Sequence, residues 1–193
     1  MSRYIVGITG ASGSIYAVRL VEELLKYGHE VHLVITDNGR KVMAYETGLD
    51  GGQILQKTGG ISRRSGIYDN SDLFAPIASG SFKTDGMVVI PCSMATLGEI
   101  ASGSSKNLLG RAADVCIKEK RKLVLVPRET PLSSLHLRNM LTLSEAGVLI
   151  FPAMPAFYHR PSSVGEMVDF IVGRVLDSLG VKNELYKEWD GGS

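Results

Sequence analysis

Four loops of this chain gather side chains suited to holding and transforming an anionic ligand. Thr9-Gly10-Ala11-Ser12-Gly13-Ser14 lies between an apolar run and a stretch of helical spacing, where free backbone N–H groups and a helix dipole attract a phosphate. It lacks the Gly-Lys-Ser/Thr ending of a Walker loop, and Tyr16 stands where a dinucleotide fingerprint wants glycine, so both nucleotide readings weaken. No tyrosine is followed four residues later by lysine, although Asp37 could imitate a ribose-binding acid; hydride transfer is the runner-up. Pro91-Cys92-Ser93-Met94-Ala95-Thr96 repeats the logic of the first loop: Ser93 can cap a helix whose first turn offers N–H and hydroxyl donors, with Cys92 a small core residue. In Val126-Pro127-Arg128-Glu129-Thr130-Pro131, Arg128 and Glu129 leave a strand end, either as a surface ion pair or as a phosphate ligand beside a proton carrier. Thr130 and Pro131 are poised to start the next helix. The segment from Pro152 to Pro161 carries three prolines that stiffen it; Tyr158 could donate to an anion, or Tyr158 and His159 could wedge the loop.

Such loops need a scaffold that brings strand ends together. Apolar runs at Tyr4 to Thr9, Glu30 to Thr36, Met87 to Ile90, Leu123 to Val126 and Val148 to Phe151 predict strands. They alternate with helical spacing at Ile15 to Tyr27, Met94 to Ser102, Asn107 to Lys118 and Ser133 to Glu145, and Gly28 closes the first helix. Continuous Val/Ile/Leu strands imply a sheet buried on both faces. The expected fold is therefore α/β, a three-layer doubly wound parallel sheet of flavodoxin-like or Rossmann-like type, with its sites beyond the strand C-termini. On that fold Ser12, Thr36 and Ser93 to Thr96 converge on one crevice. Gly48 to Gly86 shows little periodicity and reads as irregular.

Ser163-Val-Gly-Glu166 forms a capping box for the last helix. Its stripe of Val164, Met167, Val168, Ile171, Val172, Val175 and Leu179 runs to Gly180, with Arg174 beside it. Beyond it, Leu185, Tyr186 and Trp189 sit on a polar tail that is either a strap over the chain's own core or an arm reaching a neighbouring subunit.

Composition narrows the classes. A chain of 193 residues with 44% apolar content fits one domain over 1–193, with residues 181–193 as a C-terminal arm. Lys+Arg 21 against Asp+Glu 20 leaves a net charge of +1, which supplies no basic field for nucleic acid and makes any anion site local. Cys92 and Cys116 are too few for a disulfide framework and form no metal-like cluster with the four histidines, which fits a reducing cytoplasm. No signal-peptide core is visible and no run approaches the roughly 20 apolar residues of a spanning helix, so a soluble cytoplasmic protein is expected.

Six motifs then occur in order: Gly10-Ala-Ser-Gly13, Ala78-Ser79-Gly80-Ser81, Pro91-Cys92-Ser93, Asn107-Leu108-Leu109-x-Arg111-Ala112-Ala113-Asp114, Leu123-Val-Leu-Val-Pro127-Arg128-Glu129 and Pro155-Ala-Phe157-Tyr158-His159. Together they resemble the UbiX-type flavin prenyltransferases, from about Tyr4 to Trp189. The resemblance implies an enzyme that joins the dimethylallyl group of dimethylallyl monophosphate to N5 and C6 of reduced FMN, giving phosphate and prenylated FMN for a partner decarboxylase. It implies that Gly10, Ala11, Ser12, Thr36, Ser93, Met94, Ala95, Thr96 and Arg128 hold FMN. Arg111, Lys118, Arg128, Tyr158, Arg174 and Trp189 would hold the prenyl phosphate, and Ser12, Glu46, Lys118 and Glu129 would act in catalysis. It also implies a cytoplasmic homododecamer in which Lys118 and some neighbours reach the site across subunit boundaries. Two departures are Leu73-Phe74, where some members carry tryptophan, and Thr36, where serine is common and the hydroxyl is kept.

The chemistry of the side chains agrees. Cleaving an allylic C–O bond builds positive charge on the prenyl group and negative charge on the departing phosphate, which Arg174, Arg128, Lys118 and Tyr158 could bind. No Asp-Asp-x-x-Asp run for magnesium is present, so a monophosphate held by metal-free cations is the consistent substrate. Ser12 and Glu46 are candidates for managing the N5 proton, and Glu129 for acid or base work beside the phosphate, while the released phosphate could accept the C6 proton. Two alternatives share the architecture. A flavin-dependent cysteine decarboxylase would want asparagine where Pro155 stands and a histidine in the stretch before Glu46, which reads Arg40-Lys-Val-Met-Ala-Tyr45. A non-catalytic FMN-binding subunit would need no second phosphate site.

Overall fold

The computed structural model describes residues 1–57, 65–189 and 191, so residues 58–64 of the glycine-rich stretch lie outside the described residues. Its strands are β1 (Arg3–Ile8), β2 (Glu30–Ile35), β3 (Gly66–Asp69), β4 (Gly86–Cys92), β5 (Lys122–Pro127) and β6 (Leu149–Ile150). The helices are α1 (Ser14–Lys26), α2 (Asp37–Thr47), α3 (Gly51–Lys57), α4 (Met94–Ala101), α5 (Leu108–Lys118), α6 (Ser134–Glu145) and α7 (Val164–Leu179). Every strand pairing is parallel and the order is β3-β2-β1-β4-β5-β6. The winding reverses between β1 and β4, the switch point at which open α/β sheets bind ligands.

Alternate strand residues feed opposite cores, as the two-residue period of a strand requires. Val6, Ile8, Leu33, Val88 and Ile90 pack with Leu20 of α1 and Val172 and Leu176 of α7. Ile5, Val34, Met87, Val89 and Leu125 pack with Leu97 of α4 and Leu108 and Ala112 of α5 on the other face. Burying each of the Val, Leu, Ile and Met side chains is worth about 1.5–3 kcal/mol over leaving it exposed, which is why both faces of the central strands read as unbroken apolar runs.

The stretch from Gly48 to Gly86 is not simply irregular. Among its described residues are α3, β3 and a short 3-10 turn at Pro76–Ala78. Strand β3 escapes a hydrophobic-run search because it is a four-residue edge strand, half-buried on one face and exposed on the other. Helix α2 carries only Gly39 and Met43 as buried residues, too few to print a period.

The helix ends obey local chemistry with three corrections. Thr130 and Pro131 do not start α6: Ser133 caps it, accepting from the His136 N–H while the His136 ring accepts from the Ser133 N–H. At α7, Ser163 Oγ accepts from the Glu166 N–H at 3.2 Å, but the Glu166 carboxylate returns to the Ser162 N–H and hydroxyl instead of to Ser163. Val164 is 70% exposed, so the buried stripe of α7 begins later and takes in Phe170 and Leu176. Gly180, at φ 78°, ends it in the left-handed region that favours glycine.

After α7 the arm lies as a strap over its own chain. Asn183 donates to the Gly173 carbonyl at 3.2 Å and to Asp177 at 2.8 Å, the Tyr186 hydroxyl donates to the Asp177 carboxylate, and Leu185 packs on the core. A Cβ on Gly173 would lie 2.6 Å from the Tyr186 ring, so this close docking requires glycine there. Among the described residues no helix is long and apolar enough to cross a membrane.

Candidate functional site

Beyond the C-terminal ends of β1, β2 and β4 opens a cavity of about 600 Å³. It is lined by Gly10, Thr36, Asp37, Asn38, Lys41, Asn70, Ser93, Ala95, Thr96, Glu99, Asn107 and Leu109. Thr9 holds the switch point together: its buried hydroxyl donates to the Pro91 carbonyl at 2.8 Å and accepts from the Ser93 N–H at 2.7 Å. Two capping hydroxyls face the cavity. Thr36 Oγ1 accepts from the Gly39 N–H at 3.0 Å; Ser93 Oγ accepts from the Thr96 N–H at 3.3 Å and donates to Thr96 Oγ1 at 3.1 Å. A Cβ on Gly10 would stand 2.7 Å from Asn38 Cβ, so only glycine lets the first loop approach the start of α2 this closely. Ala11 and Met94, 4% and 8% exposed, sit behind these loops.

Glu46 occupies the donors that the first loop offers. Gly13, at φ 108°, turns its N–H and that of Ser14 toward the Glu46 carboxylate, which accepts them at 3.0 and 2.8 Å. Burial pushes the Glu46 pKa up, but hydrogen bonds from the Ser12 hydroxyl and from the Ser14 and Gly13 N–H groups outweigh it and hold the carboxyl below its usual range. Ser12 and Glu46 are thus brought together as one hydrogen-bonded pair. By contrast, burial pushes the Cys92 and Cys116 thiols up to about 12, so neither is a thiolate at neutral pH.

Arg128 and Glu129 line a second, mostly apolar cavity of about 480 Å³ with Pro127, Leu132, Met140, Pro152 and Met154. The Arg128 N–H donates to the Cys92 carbonyl at 3.3 Å, which ties this exit to the crevice, and Glu129 accepts from the Thr130 N–H at 3.0 Å. Tyr158 packs edge-on to Trp189 at 5.5 Å and to Phe170 at 6.3 Å, and His159 stacks on Phe170 at 5.0 Å. Arg174 is exposed on α7, beside Tyr186. Arg111 lines neither of these cavities; it donates to the Ala78 carbonyl at 3.1 Å and pairs with Asp114 at 2.8 Å.

Lys118 lies far from both cavities within this chain. Helix α5 starts at the crevice, where Asn107 lines the wall, and runs antiparallel to the strands toward the start of β5 at Lys122. Its 11 residues span about 16 Å at roughly 1.5 Å each, so Lys118 points from the opposite end of the sheet.

Asn38, Lys41 and Asn70 lie in none of the motifs, while Thr9 and Asn107 lie in motifs whose expected site residues are others. Asn70 Oδ1 accepts from the Leu109 N–H at 3.0 Å and Asn107 Oδ1 from the Gly110 N–H at 2.8 Å, so both fix the start of α5 at the cavity rim. An asparagine immediately before a helical stretch is a readable cap; Asn70 follows a strand the sequence hid.

The Flavoprotein family model matches residues 1–176. The flavin prenyltransferase UbiX of Halalkalibacterium halodurans is 51% identical over 191 residues, covering 96% of this chain and 92% of that protein. A crystal structure of AnUbiX (PadA1) in complex with FMN and dimethylallyl pyrophosphate superposes with a TM-score of 0.92 at 40% identity, over 98% of each chain. A dodecameric FMN-dependent UbiX-like decarboxylase from Escherichia coli O157:H7 does so with 0.91 at 44% identity, over 98% of this chain and 100% of its own. Fold, ordered motifs and near full-length identity agree, and the chain belongs to the UbiX-type flavin prenyltransferase family of flavoproteins.

Proposed function

We propose that this protein is a flavin prenyltransferase that binds reduced FMN in the switch-point crevice and joins to it the dimethylallyl group of a phosphate ester, releasing phosphate. The observation that carries the reading is the glycine-floored crevice between the Thr36 and Ser93 caps, in a chain half identical to a UbiX enzyme along nearly its whole length. The crevice suits the ligand: Gly10 lets the first loop close on α2, and hydroxyls and amides line its walls. Gly10, Ala11, Ser12, Thr36, Ser93, Met94, Ala95, Thr96 and Arg128 would hold FMN, which when reduced supplies electron-rich N5 and C6.

The side chains then divide the remaining work. Glu46, kept ionised, draws the Ser12 hydroxyl proton toward itself and leaves the Ser12 oxygen free to accept a proton from the flavin N5 edge. Arg128 and Glu129, which line the second cavity together, would give the leaving phosphate a cation and a proton carrier. Tyr158, Arg174 and Trp189 would close on the ester, and its dimethylallyl tail would meet apolar walls instead of water.

Arg111 and Lys118 act in this reading on a neighbouring subunit's site, since within their own chain they lie away from both cavities. Exposed Leu135, Leu137 and Leu141 on α6 support an assembly that covers them, and a dodecamer is the expected one. We read residues 1–193 as one cytoplasmic flavoprotein unit whose product serves a decarboxylase.

The test is an anaerobic phosphate-release assay with reduced FMN and either dimethylallyl monophosphate or pyrophosphate. Turnover is expected with the monophosphate. Glu129→Gln and Arg174→Ala should lower it by about 10²-fold or more while FMN binding persists. Loss of flavin binding and turnover together would show the second site to be misplaced.

A further inference from the structure

We infer that Lys41 supplies the counter-charge for the flavin phosphate, and so makes the crevice select FMN over riboflavin. The inference rests on the proposed flavin role of the crevice and goes beyond the residues that the family resemblance implies.

A phosphate monoester brings close to two negative charges and needs N–H donors or a cation. The glycine loop is the obvious place, but its Gly13 and Ser14 N–H groups already serve the Glu46 carboxylate at 3.0 and 2.8 Å. A phosphate there would have to displace a carboxylate that its partners hold ionised.

Across the crevice the situation reverses. Among the described residues that line it, Lys41 is the one cation, against the carboxylates of Asp37 and Glu99. Lys41 is exposed on α2 and has no ion pair or hydrogen bond with a described residue, so its charge is uncommitted. It lies one helical turn beyond Asp37, on the same face, and lines the cavity together with Thr36 and Asn38. Asp37 and Glu99 repel a phosphate but accept hydrogen bonds from a polyhydroxyl chain, which places the ribityl between them and leaves the phosphate to Lys41. Arg128, at the end of β5, lines the second cavity and not this one.

The test is fluorescence titration of the purified full chain with FMN and, separately, with riboflavin, which lacks the phosphate. The wild type should bind FMN at least about tenfold more tightly than riboflavin. Lys41→Ala should weaken FMN by about tenfold, on the order of 1.4 kcal/mol, and riboflavin by less than about twofold. Lys41→Arg should restore most of the FMN affinity, and Asp37→Asn should tighten FMN alone. Lys41→Ala affinities that fall equally for both flavins, or that do not fall for FMN, would overturn the inference, as would a wild type indifferent to the phosphate. A wild type that binds neither flavin would remove the flavin reading itself, a failure visible before any variant is made.

Discussion

The carboxylate of Glu46 sits on the backbone N–H groups of Gly13 and Ser14, at 3.0 and 2.8 Å, and so seals the start of α1 with a side chain from the end of α2. An internal anion thereby neutralises the partial positive charge that the glycine loop builds. The crevice is left with a carboxylate aimed at Ser12 in place of a ready phosphate cradle.

Glu46→Gln should lower the melting temperature at pH 7 by about 2–4 °C, the effect of roughly 1 kcal/mol at a helix N-terminus. The folded-state pKa of Glu46 lies below its unfolded value, because its hydrogen bonds outweigh its burial. Its stabilisation is therefore complete above the unfolded pKa of about 4.3 and disappears as the pH falls through the folded one. Melting curves of wild type and variant should converge in acid, and a gap that stays constant down to pH 3 would contradict the pairing.

Gly10→Ala puts a methyl group 2.7 Å from Asn38 Cβ. It should cost about 1–3 kcal/mol of stability as the first loop and α2 are forced apart, and weaken FMN by about tenfold or more. Removing the opposing Cβ with Asn38→Gly in the same chain should recover much of the affinity. An unaffected FMN titration for Gly10→Ala alone would show that the floor of the crevice is elsewhere.

How much of this was legible beforehand follows from burial. Strands β1, β2, β4 and β5 announce themselves because both faces are covered; half-exposed β3 and weakly amphipathic α2 do not. Ser93, Asn107 and Ser163 can be read as caps from their place before a helical stretch. That Glu46 lies on the first loop, 33 positions from Gly13, is invisible to spacing because only the α1–α2 packing creates it. The strap was equally undecidable: the contact between Gly173 and Tyr186 depends on the path of a polar tail that has no period.

That strap supplies its own probe, since Trp189 is the chain's one tryptophan and packs on Tyr158 at 5.5 Å. Gly173→Ala should lift the arm by forcing Tyr186 away, and Tyr186→Ala should do the same without the clash. Both variants should shift the tryptophan emission to longer wavelength and raise the KM for the prenyl ester more than they lower kcat. Unchanged emission in both would mean that the arm is not held through Tyr186.

Lys118 offers a test of assembly. Alone, Lys118→Ala and Glu129→Gln should each reduce turnover on the order of 10²-fold. Co-assembled in one oligomer they should regain a substantial fraction of wild-type activity, because some sites then draw an intact Lys118 from one subunit and an intact Glu129 from another. No recovery in a verified mixed oligomer would place Lys118 outside a shared site.

The most direct measurement is the mass of the flavin after anaerobic incubation of the purified protein with reduced FMN and dimethylallyl monophosphate. The account predicts FMN heavier by one isoprene unit, with one phosphate freed per modified flavin. Flavin of unchanged mass, recovered from protein that has bound it, would contradict the account.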